Sequence, residues 1–546
     1  MQSIEIVLTM LLLVLASGYL VRMLPFALPL PLVQIGLGAC VAAFFNRGVT
    51  LDPDFFFLLF LPPLLFLDGW RIPKEGLFQD ARTVLQLALG LVVFTVLGIG
   101  FLLHWLIPAM PLAVAFALAA IVSPTDPVAL SSIAARVPVP RRLMHILEGE
   151  SLLNDASGLV CFRFAVVAAM TGQFSLASAS LAFLWLALGG VGVGVLVTLG
   201  ITHGHVLITR RFGQDAGLPI LVSLLTPFGA YLAAEHLGAS GILASVAAGI
   251  TMSYVELSGT APAATRVQRT AVWDSVQFAL NGIAFVLLGE QLPGILARAI
   301  VALEQSGQHD PWWLLVYALA INVGLALLRL LWVLASLRVN LLIAHRRGQP
   351  AAAPPWRLIL ATSLTGVRGA ITLAGVLTLP LLLPDGSAFP ARDLAIFLAT
   401  TVIVFSLLVA SFGLPPLLAG LQLPAESQHQ REEDLARQRS TKAALSAIKR
   451  AQQDLSDKNA ADADIYAAAA MRVMTLYQRQ LDADGANEVD AEQLRKADAA
   501  ERALRLAGLR AARQEIFSLA RYNRVSDDIA RRLVREIDLL EARYSP

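Results

Sequence analysis

Apolar runs of membrane-crossing length alternate with short polar or Pro/Gly-rich breaks over roughly the first 420 residues of this 546-residue chain. A helix needs about 20 mainly apolar residues to cross the hydrocarbon core of a bilayer. Thirteen stretches approach that length, near 4–21, 27–46, 54–70, 83–107, 111–136, 145–171, 177–202, 217–236, 240–255, 271–296, 312–342, 357–383 and 392–421. The stretches at 27–46 and 240–255 carry the weakest signal. Beyond residue 424 the pattern changes to Ala, Leu, Arg, Glu and Asp at helical spacing, as in EEDLARQRSTKAALSAIKRAQ and SDDIARRLVREIDLLEARY. Ser526, Asp527 and Asp528 open the second of these as an N-cap signal. The pattern predicts an all-α polytopic membrane protein with about 13 transmembrane helices at 1–424 and a helical tail at 425–546.

Two of the spans are interrupted. The fifth contains SPTDP (Ser123 to Pro127), and the twelfth contains TGVRGA (Thr365 to Ala370). They stand seven spans apart, which is the offset of two six-span repeats joined by an extra helix. An odd offset inverts one repeat relative to the other. Paired broken helices in inverted repeats point to a transporter site near the bilayer midplane.

Charge sharpens this division. Of 42 basic and 40 acidic residues, 21 and 21 lie from Ala425 onward, leaving 21 and 19 for the preceding 424 residues. Alternate loops carry Arg22; Arg71, Lys74 and Arg82; Arg136, Arg141 and Arg142; Arg210 and Arg211; Arg266 and Arg269; Arg338, Arg346, Arg347 and Arg357. The other loops carry Arg47, Arg298 and Arg392. Positive loops stay in the cytoplasm, so the N-terminus is expected outside and the tail inside. The first span lacks a basic leader and a small-residue cleavage site, and reads as a retained helix. A net charge of +2 gives no reason to expect a nucleic-acid partner. The two cysteines, Cys40 and Cys161, lie in apolar spans and suggest neither a disulfide framework nor a bound metal. No cofactor is expected. In the tail, DADGANEVDAE (Asp482 to Glu492) has its glycine at the fourth position rather than the sixth that a calcium loop needs, so it reads as a helix–helix turn.

Two carboxylates inside apolar spans carry the chemistry: Asp126 in SPTDP and Asp155 in EGESLLND. An ionised side chain at mid-bilayer costs at least ~2.5–3.5 kcal/mol, so such residues mark ion or proton paths. Glu150 and Asn154 share one face of span six, as do Ser151 and Asp155. Pro124 and Pro127 free backbone carbonyls around Thr125 and Asp126. Hard oxygens from carboxylates, Ser151 and unwound backbone suit a small alkali cation, held by Asp126, Ser151 and Asp155. A lone buried Asn or Ser would read as helix packing, whereas two carboxylates beside a Pro-x-x-Pro break read as a site. Arg329 and Arg368 are lone cations in spans 11 and 12, and Glu150 is a natural counter-ion for either. Asp68 stands near the cytoplasmic end of span 3, where a cation path and an interfacial charge are equally good readings. Arg163 reads as structural or snorkelling, and Glu290 as interfacial. His203 and His205 flank a glycine at a helix end as candidate pH sensors, but solvated surface histidines are commoner.

Thr125-Asp126-Pro127, Asn154-Asp155, GESLLNDA and GVRGAITLA together resemble the bacterial sodium/proton exchangers of the cation:proton antiporter-1 family, over roughly residues 1–420. The resemblance implies thirteen helices, a core bundle, a dimerisation bundle and a homodimer in membrane lipid. It makes Asp155 the main proton- and cation-binding carboxylate, with Asp126, Ser151 and the Thr125 backbone beside it. Asn154 would support the site, Glu150 with Arg329 or Arg368 would brace the broken helices, and Asp68 matches an acid near the ion path. The implied function is electroneutral Na+/H+ antiport by alternating access, not enzyme catalysis. A K+/H+ antiporter on the same scaffold is the alternative. An intramembrane aspartyl protease would need a Gly-x-Gly-Asp motif, and a potassium channel a TVGYG-like filter; neither stands in the chain.

Overall fold

A computed structural model of the chain describes residues 2–23, 28–45, 53–72, 81–126, 141–172, 176–212, 217–257, 263–305, 310–346, 354–419, 427–458, 463–485, 488–521, 524 and 527–544. Pro127 and Ser526 lie outside the described residues, as do the loop residues Arg47, Lys74, Arg136 and Arg347. The chain forms two compact units, Met1–Leu421 and Gln422–Pro546.

The first unit is helical because a bilayer leaves the backbone no other partners for its polar groups. Its helices are α1 (Gln2–Met23), α2 (Leu30–Phe45), α3 (Pro53–Arg71), α4 (Ala81–Leu106), α5 (Leu112–Val122), α6 (Arg141–Thr171) and α7 (Leu176–Phe212). They continue with α8 (Leu218–His236), α9 (Gly241–Leu257), α10 (Ala263–Gln305), α11 (Trp312–Arg346), α12 (Trp356–Leu364), α13 (Ala370–Leu377) and α14 (Arg392–Leu418). Each expected span overlaps a helix among the described residues, the fifth only as far as Asp126, beyond which its residues lie outside them; the two weak signals are α2 and α9. Among the described residues, eight helices are long and apolar enough to cross a membrane, and Leu30–Ala43, Leu112–Val122 and Gly241–Glu256 are shorter apolar helices.

The outer surface is apolar where a water-soluble protein would be polar. Leu12, Trp105, Leu181, Leu196 and Phe212 are all exposed, which fits a lipid-facing surface. Inside, α5 is buried along most of its length, from Val114 to Val122, against α4 and α6. Several helices outrun their apolar stretch. α7 carries Arg210 and Arg211 in its last turn, and α10 already holds Arg266 and Arg269, so these cations are helical rather than loop residues. Glu290, expected at the interface, is buried because α10 runs on to Gln305. Arg163 lies 3.4 Å from Glu235 at a half-exposed position.

Two seams are made by backbone alone. A Cβ on Gly38 of α2 would strike the carbonyl of Val286 in α10, and one on Gly289 of α10 would strike that of Ile35 in α2. The same reciprocal contact joins α3 and α9, where Gly69 meets the carbonyl of Val246 and Gly249 that of Phe66. Close approach through small residues is the usual way membrane helices gain packing energy when lipid offers no hydrophobic drive.

The second unit contains α15 (Ser427–Lys458), α16 (Ala463–Gly485), α17 (Glu488–Arg521) and α18 (Asp527–Tyr544). α15 packs on α16 and α17 on α18. Arg513 bonds Asp538 at 2.8 Å and also Glu541, tying α17 to α18. Of the DADGANEVDAE segment, residues 482–485 end α16 and residues 488–492 open α17, while Ala486 and Asn487 lie outside the described residues.

Candidate functional site

SPTDP ends α5 at Val122. Ser123 to Asp126 leave the helix, because Pro124 has no N–H to donate back into it and a proline at 127 disfavours helical backbone at Asp126. Downstream, α12 stops at Leu364, five residues run unwound, and α13 begins at Ala370. The two interruptions cross. The backbone N–H of Asp126 donates to the carbonyl of Val367 at 2.7 Å, so each break supplies a partner the other has lost.

Crossing broken helices leaves helix ends inside the protein, and each described end has a compensating charge. Arg368 Nε donates to the carbonyl of Val122 at the C-terminus of α5 (2.9 Å), and its Nη1 bonds the carbonyl of Gly366. Arg329 Nε donates to the carbonyl of Thr362 near the end of α12 (3.1 Å). Asp126 lies against Gly369, which caps the N-terminus of α13. Cations at C-termini and an anion at an N-terminus offset the helix dipoles. A Cβ at Gly369 would overlap the Asp126 carboxylate, so this position admits only glycine while the aspartate stays.

Thr125 is the hub. Its carbonyl accepts from Ser151 Oγ at 2.7 Å, and its hydroxyl accepts from Asn154 Nδ2 at 2.9 Å and donates to Glu150 Oε1 at 3.3 Å. One face of α6 therefore grips the unwound segment through Glu150, Ser151 and Asn154. Glu150 is 1% exposed and Arg329 3%, and Arg329 binds both carboxylate oxygens at 2.6 and 2.9 Å. The counter-ion choice that the sequence left open thus falls to Arg329. Arg368 stands within electrostatic reach of Glu150, yet its hydrogen bonds go to backbone carbonyls, which corrects its reading as an ion-pair partner.

Asp155 is 5% exposed, and Asp126 and Asp68 lie near enough to act on it electrostatically. The structure therefore brings together Thr125, Asp126, Ser151, Asn154 and Asp155, with the half-buried Asp68 of α3 within electrostatic reach. Asn154 Oδ1 is buried with no hydrogen-bond partner among the described residues, which adds a further oxygen to the cluster. The donor set is oxygen throughout, as a hard alkali cation requires. His203 and His205 lie within α7, partly or fully exposed.

Sequence reasoning missed one network. Arg269 is buried, binds Glu256 and lies 5.0 Å over the Trp70 ring, while Trp70 Nε1 donates to Glu256 at 2.8 Å. It fastens the end of α3, two residues past Asp68, to α9 and α10. Only the proximity of Trp70 to Asp68 hinted at it.

Arg368→Ala removes the donor from the carbonyls of Val122 and Gly366 at once. Hydrogen bonds to charged groups are worth about 1.5–3 kcal/mol, so the variant is expected to melt at a lower temperature in detergent and to lose activity. Wild-type melting would show that the arginine does not brace the crossing.

A model of the sodium/hydrogen exchanger transmembrane family matches residues 8–420. The Na(+)/H(+) exchanger YjcE of Escherichia coli (strain K12) is 41% identical over 540 residues, covering 98% of each chain. The sodium, potassium, lithium and rubidium/H(+) antiporter of Bacillus subtilis (strain 168) is 43% identical over 416 residues, 76% of this chain and 61% of that one. This chain thus spans under two thirds of the Bacillus antiporter. The fold resembles that of the sodium proton antiporter MjNhaP1 from Methanocaldococcus jannaschii, with a TM-score of 0.54 and 19% identity over 77% of this chain and 99% of that one. The matched region contains both helix breaks and the Asn154–Asp155 pair, and the chain belongs to the transmembrane sodium/hydrogen exchanger family.

Proposed function

We propose that this cation/proton antiporter exchanges Na+ for H+ at Asp155, with alternating access to one site. The observation that carries the reading is the buried oxygen cluster around Thr125, where α6 meets two crossing broken helices. A carboxylate can neutralise either a proton or a cation, but not both. Protonation of Asp155 removes the charge that holds Na+, and bound Na+ excludes the proton. Ser151 Oγ and the carbonyl of Thr125 would supply neutral ligands, Asp126 a second charge, and Asn154 would hold Thr125 in place. Asp68 would guide cations towards the site. K+ is the second reading, favoured by the name of the Bacillus relative, which includes potassium.

The glycine seams support two inverted repeats. An offset of seven spans maps α2 onto α9 and α3 onto α10, so the α2–α10 seam becomes the α9–α3 seam. In both seams each glycine abuts the carbonyl three residues before the partner glycine. The membrane unit would lie in a bacterial inner membrane as a homodimer, N-terminus outside, with the tail as a cytoplasmic module. All carboxylates invoked for transport precede that tail.

The test is proton flux in proteoliposomes on adding Na+, K+ or Li+. Cation-elicited flux is expected with Na+, and no flux with any of them would sink the proposal. The residue before Asp155 is Asn154 rather than a second acid, so one proton should leave per cation bound. Exchange is then expected to carry no current on a solid-supported membrane and to ignore voltage. A clear transport current would contradict this stoichiometry.

A further inference from the structure

α4 does not run as a regular helix. Its backbone opens into a π-turn over Gln86–Leu91. An extra residue in a turn displaces the regular hydrogen-bond ladder, and such bulges are frequent at functional sites. Two neighbours fill this one. From α11, the Trp332 ring lies where a Cβ on Gly90 would be, Phe94 packs on it at 5.4 Å, and Ser336 Oγ donates to Gln86 Oε1 at 2.9 Å. From α6, Ser157 Oγ lies 2.7 Å from the carbonyl of Ala88 within the π-turn.

Ser157 is 5% exposed and stands two residues after Asp155. A buried helical serine usually satisfies its hydroxyl on a carbonyl three or four residues back in its own helix. Ser157 has that option, the carbonyl of Asn154 at 2.9 Å, yet the carbonyl in α4 is the nearer of the two. One hydroxyl proton serves both. Successive helix residues turn by about 100°, so Ser157 and Asp155 project some 200° apart, on nearly opposite sides of α6. A tether at Ser157 therefore resists rotation of α6 about its axis, a rotation that would move Asp155 together with Ser151 and Asn154, which bond Thr125.

We propose that Ser157 is a positioning residue for the cation site: by tethering α6 to the π-turn of α4, its hydroxyl sets the angle at which α6 presents Asp155 to the site. The inference rests on Asp155 being the exchanging carboxylate. Its test compares Ser157→Ala, Ser157→Thr and Ser157→Val with wild type in proteoliposomes. Thr and Val have nearly the same shape and differ in the hydroxyl, which separates the hydrogen bond from packing. Loss of one buried hydrogen bond predicts an apparent KM for Na+ about fivefold higher in the Ala and Val variants, at little-changed maximal rate. Thr should stay close to wild type. The Ala and Val variants should also need about fivefold more Na+ for the same rise in melting temperature, a readout independent of transport. Equal KM shifts in Thr and Val, or an Ala variant with wild-type KM, would overturn the proposal. Absence of exchange by wild type in the same vesicles would instead refute the assignment of exchange itself.

Discussion

Asp155→Asn is expected to abolish cation-dependent proton flux while leaving the protein folded. The substitution keeps the volume and a carbonyl oxygen and removes the charge. An amide cannot release a proton in the working pH range, nor neutralise a cation removed from water. Asp155 is almost fully buried, so water cannot replace the missing charge. Asp126 remains, but it is engaged at the crossing by its backbone bond to Val367 and its place against Gly369. Flux should fall to the level of empty vesicles. Substantial residual exchange at wild-type melting temperature would move the exchanging carboxylate elsewhere, with Asp126 the next to test.

Arg329→Ala should be the most destabilising single change in the membrane unit. It leaves the Glu150 carboxylate buried and without its bidentate partner, and it strips the carbonyl of Thr362 of a donor. Breaking a buried pair from one side costs about 3–5 kcal/mol, whereas replacing both partners by apolar residues is often near neutral. Glu150→Leu combined with Arg329→Met should therefore recover much of the melting temperature lost by Arg329→Ala. Recovery should be incomplete, because Thr125 Oγ also uses Glu150. A double variant no more stable than Arg329→Ala would show that the pair does more than balance charge.

Much of the fold and of the candidate site is legible in the sequence. Membrane spans follow from length and apolarity, and prolines beside Asp126 announce a break because proline removes a helix donor. Asp155, Ser151 and Asn154 fall together by helical spacing alone. What stayed hidden depends on packing between distant segments. Glu150 and Arg329 are 179 residues apart, and nothing local says which of two arginines will reach the glutamate. Glu290 and Arg269 look peripheral in a hydropathy pattern, yet α10 extends past its apolar stretch at both ends and buries them. The π-turn lies in QLALGL, a run without proline that reads as ordinary helix. Neighbours on other helices, Trp332 and Ser336 of α11 and Ser157 of α6, give the bulge its place.

The two glycine seams have a thermodynamic consequence. When helices meet through side chains, each contact must first freeze rotamers, at up to about 2 kcal/mol for a long residue. Gly38, Gly289, Gly69 and Gly249 have no rotamers to lose, and the carbonyls they meet are already fixed by their own helices. Each junction therefore costs almost no side-chain entropy to form. Nor can it relax by swinging a side chain aside. A seam of this kind responds to strain by moving whole helices or not at all, so α2 with α10, and α3 with α9, should behave as stiff two-helix bodies in which thermal motion is collective rather than local.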